Sequence, residues 1–322
     1  MQQTFSSYEY LNKNKKTKKE IFLEEMEVVV PWASLEALIG PFYYAKKLGR
    51  PPVPLAKMIR VYCLQQWYGL SDPGAEEALY DTECMRRFCG FIQGEHAIPD
   101  ETTILHFRHL LEKHDLPPQI FAAVTRLIEE NGLLLKKGTI VDATIIHAPT
   151  STKNADGKRD PEMSSTKKHN QWYFGMKAHV GTDTETGVAH TLVTTTARVH
   201  DSVPMEELLH GEENNIYGDR AYVSQERKEK FEARGMRWRV QHKAAPGADL
   251  TPAQEERNWR TSRIRSRGEH LFRVMKQQFG YRKVRYKGLY KNTCQLNSLF
   301  ALANLYQVRH QLIEKMTSPM PT

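Results

Sequence analysis

The stretch Gly138-Thr139-Ile140-Val141-Asp142-Ala143-Thr144-Ile145-Ile146 decides the fold. Its β-branched residues suit the pleated surface of a strand. One residue breaks the apolar run: an ionised carboxylate is costly to bury unless it is paired or meets a cation, so Asp142 needs a reason to be there. Downstream, strands are expected over 172–181 and 188–196, joined by the hairpin-like turn Thr182-Asp183-Thr184-Glu185-Thr186-Gly187. A helix over 203–210, capped by Asp201 or Ser202, precedes a short strand over 215–219. A helix over 224–234, a strand over 238–241 and a helix over 264–279 complete an α/β layout.

Upstream the character is helical. Residues 21–135 carry apolar side chains at three- and four-residue spacing, as in Leu55-Ala56-Lys57-Met58-Ile59-Arg60-Val61-Tyr62-Cys63-Leu64, and Ser71-Asp72-Pro73-Gly74 breaks the pattern. Asp100 is placed to cap a helix carrying Arg108 and His109, either a recognition helix of a helix-turn-helix-like unit or an ordinary charged surface. The expected organisation is a basic arm over 1–20, a helical domain over 21–135, an α/β domain over 136–310 and a tail over 311–322.

The chain has 322 residues, 40% of them hydrophobic, and a formal charge of +8. That excess suits a polyanionic partner, because clustered lysines and arginines displace counterions from phosphates. The four cysteines, Cys63, Cys84, Cys89 and Cys294, form no C-x-x-C pair and read as buried thiols. A Walker-type phosphate loop and an H-E-x-x-H pair are both absent from the sequence, and its apolar runs are too short for a membrane span. A cytoplasmic protein is expected.

Two further carboxylates stand beside Asp142. Asp219 follows Gly218 at the end of an expected strand, where a small residue lets a ligand approach. Glu269 lies on a helix whose apolar stripe is Ile264, Leu271, Phe272, Met275 and Phe279, and it shares one border of that stripe with Arg265 and Lys276. Periodicity alone describes Arg265 and Glu269 equally well as a surface pair worth a few tenths of a kcal/mol. Two strand-borne aspartates and a helix-borne glutamate also suit two-metal phosphoryl transfer, in which hard oxygen ligands hold both ions.

The tract 257–291 interleaves arginines and lysines with Trp259, Phe272, Phe279, Tyr281, Tyr286 and Tyr290. That pattern fits backbone contact and stacking on DNA, or a solvated helix face over core aromatics. Lys177 and His179 share a strand face, and His200 precedes Asp201; these read as scaffold or as neighbours of the metals. Trp172 reads as core.

Together these stretches resemble the insertion-sequence transposases of the DDE superfamily, in the branch typified by insertion sequence five. The likeness is carried by Gly138 to Ile146 as quoted, by Tyr217-Gly218-Asp219-Arg220-Ala221-Tyr222 and by Arg265-Ser266-Arg267-Gly268-Glu269-His270. Pro161-Glu162-Met163, Gln171-Trp172-Tyr173-Phe174-Gly175-Met176-Lys177-Ala178-His179 and Phe279-Gly280-Tyr281-Arg282-Lys283-Val284-Arg285 extend it, and Gln66-Trp67-Tyr68 carries it into the helical half. In the family's glutamate signature, tyrosine, arginine, glutamate and lysine recur at fixed spacing. Arg265, Glu269 and Lys276 match it, while Ser262 stands at the tyrosine position and lacks the ring.

The resemblance implies an RNase H-like mixed sheet flanked by helices and preceded by an all-α DNA-binding region. It implies that Asp142, Asp219 and Glu269 are catalytic and hold Mg2+ or Mn2+, two ions per site. DNA contacts are expected from Arg265, Lys276, Arg273, Arg282, Lys283, Arg285, Lys287, Arg108 and His109. The implied activity is cleavage at the terminal repeats of an element and joining of its 3′-hydroxyl to target DNA, by a homodimer in the DNA complex, in a prokaryotic cytoplasm beside the nucleoid. Two other readings stay open: a structure-specific nuclease that does not join strands, and a catalytically silent DNA-binding descendant.

Overall fold

The computed structural model describes residues 14–43, 52–92, 97–155, 157–168 and 170–317. Among the described residues seven helices come first: α1 (Lys18–Val29), α2 (Trp32–Tyr43), α3 (Leu55–Tyr68), α4 (Asp72–Asp81), α5 (Glu83–Phe88), α6 (Glu101–Lys113) and α7 (Leu116–Glu130). Their starts follow local chemistry. Thr17 and Glu20 form a capping box on α1, and the side chains of Ser71 and Asp100 accept backbone N–H groups at the starts of α4 and α6. Helix therefore begins within the expected basic arm, whose residues 1–13 lie outside the described residues.

The sheet comprises β1 (Gly138–His147), β2 (Ser164–Lys168), β3 (Gln171–Asp183), β4 (Ala189–Thr196), β5 (Asn215–Gly218) and β6 (Arg237–Val240). β1 pairs antiparallel with β3 on one side and parallel with β5 on the other; β6 extends the parallel side. β2 and β4 both pair with β3, β2 at its N-terminal end and β4 at its C-terminal end. This is the expected mixed sheet flanked by helices, with an all-helical region before it. A 3-10 turn (Val203–Leu208) stands where a regular helix was expected, and neither Asp201 nor Ser202 caps it with its side chain.

After α8 (Gln225–Glu232), the helix expected over 264–279 starts twelve residues earlier, as α9 (Pro252–Arg273), with a capping box from Thr251 and Gln254. It ends in a π-helical segment, Val274–Gln278. The last helix, α10 (Leu289–Thr317), has buried residues all round it, so no amphipathic stripe announced it. Residues 311–317 are helical and not tail, and 318–322 lie outside the described residues.

α10 joins the two halves. Asn304 in its middle caps the start of β4, accepting from the Ala189 N–H at 2.9 Å and donating to its carbonyl at 2.7 Å. Its Arg309 reaches Glu25 of α1 at 2.7 Å, and Tyr62 of α3 bonds Ser298 at 2.8 Å. One apolar cluster accordingly runs from Leu23 and Leu64 through Ile128 to Met176 and Leu299. The helical half and the sheet share a core and are not separate modules. At its start α10 is held by two carboxylates, Asp160 accepting from the Gly288 N–H and Glu162 from the Leu289 N–H, each at 2.7 Å. That gives the Pro161-Glu162-Met163 segment a structural role.

Candidate active site

β1 and β5 run parallel with Ile140 opposite Tyr217. Two steps further along that register Asp142 comes level with Asp219, on strands spaced about 4.8 Å apart. Gly218 eases the packing there, since a Cβ would meet Val141 and Tyr222 side-chain atoms at 3.2 Å. Asp219 then leaves the strand, and its carboxylate accepts the Ala221 N–H at 2.8 Å, capping a 3-10 turn (Arg220–Tyr222).

Glu269 reaches this edge because α9 passes unusually close to the sheet. A Cβ on Gly268 would lie 2.8 Å from the Thr182 hydroxyl and 3.4 Å from Ile140. The glycine lets the helix seat against β1 and β3, and the next side chain is Glu269, exposed at the rim. Periodicity missed this, but the glycine before the glutamate was its signal.

Asp142 senses the other two carboxylates. Burial pushes the Asp142 carboxyl up to about 6; Arg265 opposes the rise, and the charges of Asp219 and Glu269 add to it. Arg265, one turn before Glu269, is buried and approaches Asp142 at 3.7 Å. Among the described residues no three His, Cys, Asp or Glu side chains are already gathered closely enough to hold an ion. The donor set still fits a hard cation: all three groups are carboxylates, and their repulsion is only partly offset by one guanidinium.

Lys276 lies within the π-helical segment, a local widening that often marks functional positions. Its ammonium donates to the Thr144 hydroxyl at 2.5 Å and to the Ile145 carbonyl at 3.3 Å. Burial and the neighbouring Lys168 lower its pKa. The backbone of Lys283 bridges that of His147 at the end of β1, and burial together with Lys276 and Lys283 lowers the pKa of that histidine. Lysines thus collect on the side of β1 beyond Asp142. Thr144 and Lys168 had no sequence signal.

The other expected DNA contacts divide. Arg273, Lys287 and His109 are exposed. Arg282 is exposed but bonds back to the Lys276 carbonyl and to Gln277. Arg285 packs over Gly69 and donates to the Leu70 carbonyl, tying the tract to α3. Arg108 is a correction: it is buried, paired with Asp72 at 2.9 Å and Glu112 at 3.0 Å, with Tyr286 stacked 4.2 Å away. Its face of α6 points inward, so the expected recognition helix turns this arginine into the core.

Lys177 and His179 pair with Ile145 and Ala143, on the sheet face opposite Asp142. Lys177 binds Asp201 at 2.7 Å, and burial holds His179 down at about 4. Ser262, at the position of the missing tyrosine, accepts from Gln241 at 2.6 Å just beyond β6. Trp172 is 69% exposed and not core.

Among the described residues no helix is long and apolar enough to cross a membrane. Residues 134–305 match the family model described as "Transposase DDE domain", and residues 10–110 match "Transposase domain (DUF772)". Among solved structures, the chain is similar to piggyBac transposase in a synaptic complex with hairpin DNA, at 8% identity and TM-score 0.46, covering 94% of this chain and 77% of that one. It is also similar to the Mos1 strand transfer complex, at 14% identity and TM-score 0.27, covering 96% and 90%. With more than half its length in one matched domain that holds all three carboxylates, the chain belongs to the DDE transposase family.

Proposed function

We propose that this transposase cuts DNA at the terminal repeats of its own insertion sequence and joins the freed 3′-hydroxyl to target DNA. The observation that carries the reading is the convergence of Asp142, Asp219 and Glu269 from β1, the end of β5 and α9, inside the matched DDE domain.

Two Mg2+ or Mn2+ ions bound to these carboxylates would activate the attacking oxygen and stabilise the leaving one. Asp142 must be ionised to serve, and its raised pKa means that a cation nearby favours that form. Arg265 holds Asp142 in place from one side. Lys276, anchored to β1, presents its charge along the same strand, where a DNA phosphate would replace the contact with Thr144. Arg273, Lys283 and Lys287 extend a basic surface that fixes the backbone without reading sequence. Two element ends must be brought together, so the working form is a homodimer on DNA, in a prokaryotic cytoplasm.

Incubating the full chain with pre-cleaved element ends, target DNA and Mg2+ tests this. Joined product is expected, and Asp142→Asn, Asp219→Asn and Glu269→Gln should each abolish it while DNA binding survives. Cleavage without joining would instead identify a nuclease, and activity unchanged by all three substitutions would point to a silent descendant.

A further inference from the structure

Trp259 on α9 is 60% exposed, with the Arg263 guanidinium 5.0 Å from its ring centroid. A lone exposed tryptophan is ordinary on a protein surface; this one is set apart by its position. At 100° per residue it lies about 40° from Arg263, 60° from Ser262 and 80° from Glu269, so all four share one side of the helix. Ser262 is where the family signature carries an aromatic ring, and Trp259 restores a ring one helical turn earlier on the same side.

The surrounding charge suits a nucleic acid strand. Between residues 257 and 273 six arginines accompany one glutamate. Arg257, Arg265 and Arg267 are turned to the Trp238 carbonyl, Asp142 and the Thr184 carbonyl. Arg260, Arg263 and Arg273 are exposed, and the nearby Glu256 is neutralised by Arg260 at 2.5 Å. An open indole with a guanidinium on it, on a basic helix leading to the carboxylates, combines the stacking surface and the charge that bind unpaired bases.

We propose that Trp259 and Arg263 form a platform for an unpaired nucleobase of the DNA held at the carboxylates. The inference rests on the transposase reading above and adds a ligand class and a position to it. Paired bases inside a duplex have both faces covered, so the platform takes a base displaced from its stack or at a strand end. Ten residues of helix separate Trp259 from Glu269, about 15 Å, or roughly four stacked nucleotide steps from the scissile phosphate.

The test compares binding of the full-length protein, without divalent metal so that no strand is cut, to a blunt DNA duplex and to the same duplex with a single-stranded extension. 2-Aminopurine is placed at successive positions of the extension. Trp259→Ala should weaken binding of the extended DNA about tenfold and leave the blunt duplex unchanged. Trp259→Phe should retain most of the affinity. In the wild type, 2-aminopurine should be quenched over a narrow window that Trp259→Ala removes. Equal loss on both DNAs, no loss on either, or Phe behaving like Ala would overturn the platform. A wild type that quenches the probe yet neither cuts nor joins DNA with Mg2+ would leave the platform standing and remove the transposase chemistry. A wild type that joins DNA, with Trp259→Ala binding normally, would remove the platform alone.

Discussion

Two buried arginines, Arg108 in the helical half and Arg265 beside the sheet, do opposite things with their charge. Arg108 is closed between Asp72 and Glu112 at hydrogen-bond distance and covered by Tyr286. Arg265 meets Asp142 only at 3.7 Å, within a group of three carboxylates in which Asp219 and Glu269 raise the proton affinity of Asp142. In the first arrangement both carboxylate partners lie within the fold at hydrogen-bond distance. The second keeps excess negative charge at the strand ends, with Lys276, Lys283 and Lys168 collected nearby. A structure that satisfies its charges in one place and leaves them open in another separates scaffold from working site.

The largest expected effect comes from removing an open charge. Asp219→Asn or Glu269→Gln should lower DNA joining at least about a thousandfold, roughly 4 kcal/mol of barrier. Urea-unfolding stability should be unchanged or improved, because a repelling carboxylate is gone. Closed charges should behave inversely. Arg108→Ala strips buried Glu112 of its cation, leaves Asp72 only its bond from Gln65, and should cost about 3–5 kcal/mol of stability. Arg265→Ala should cost far less stability, since Asp142 can take up a proton once the guanidinium is gone, but should slow joining strongly. If Arg108→Ala unfolded normally and lost only DNA binding, the contrast would collapse.

Much of this contrast was legible in the sequence. Asp142 stood out because a carboxylate interrupts a β-branched run, and the strands around it fell where alternation and turn residues put them. Glu269 was not legible from periodicity, because its significance lies in how near α9 passes to β1, a tertiary fact that only Gly268 hinted at. The buried state of Arg108 was hidden for a related reason: its partner Asp72 lies 36 residues away, and a single helix pattern cannot show it. α10 escaped notice because a helix buried on all sides has no polar face to set its period. Trp172 and Trp259 look alike in sequence to core aromatics, and only packing reveals that both face solvent.

The glycine offers an intermediate test. Gly268→Ala puts a methyl 2.8 Å from the Thr182 hydroxyl and against Ile140, so α9 must shift outward. A cost of about 1–3 kcal/mol in stability is expected from the overpacking. Because Glu269 adjoins the displaced residue, joining should fall by more than the stability loss explains, with DNA affinity nearly kept. Single-turnover rates against binding isotherms would separate the two, and a variant that loses stability but not rate would show that the close approach serves packing alone.

The smallest effect concerns pH, where the two kinds of site pull in opposite directions. Burial holds His179 and His190 at about 4, below the ordinary histidine value of 6.5. Between those values the unfolded chain binds protons that the folded chain refuses, so their contribution is present above about 6.5 and is lost as pH falls toward 4. Asp142 has the reverse sign. Its pKa is lifted from 3.8 to about 6, so the folded state binds the extra proton there, and its contribution is lost as pH rises through 6. Each group should contribute at most about 3 kcal/mol, and the opposed signs leave a smaller net slope. Unfolding free energies measured across this window without metal should rise with pH for the wild type, less steeply for His179→Gln and more steeply for Asp142→Asn. Joining activity needs the ionised carboxylate, so it should fall as pH is lowered, with a midpoint that the bound cation shifts below the metal-free value of about 6. A stability profile that Asp142→Asn leaves unaltered would mean that the carboxylate is not held in the strained, proton-seeking state on which the contrast between closed and open charges depends.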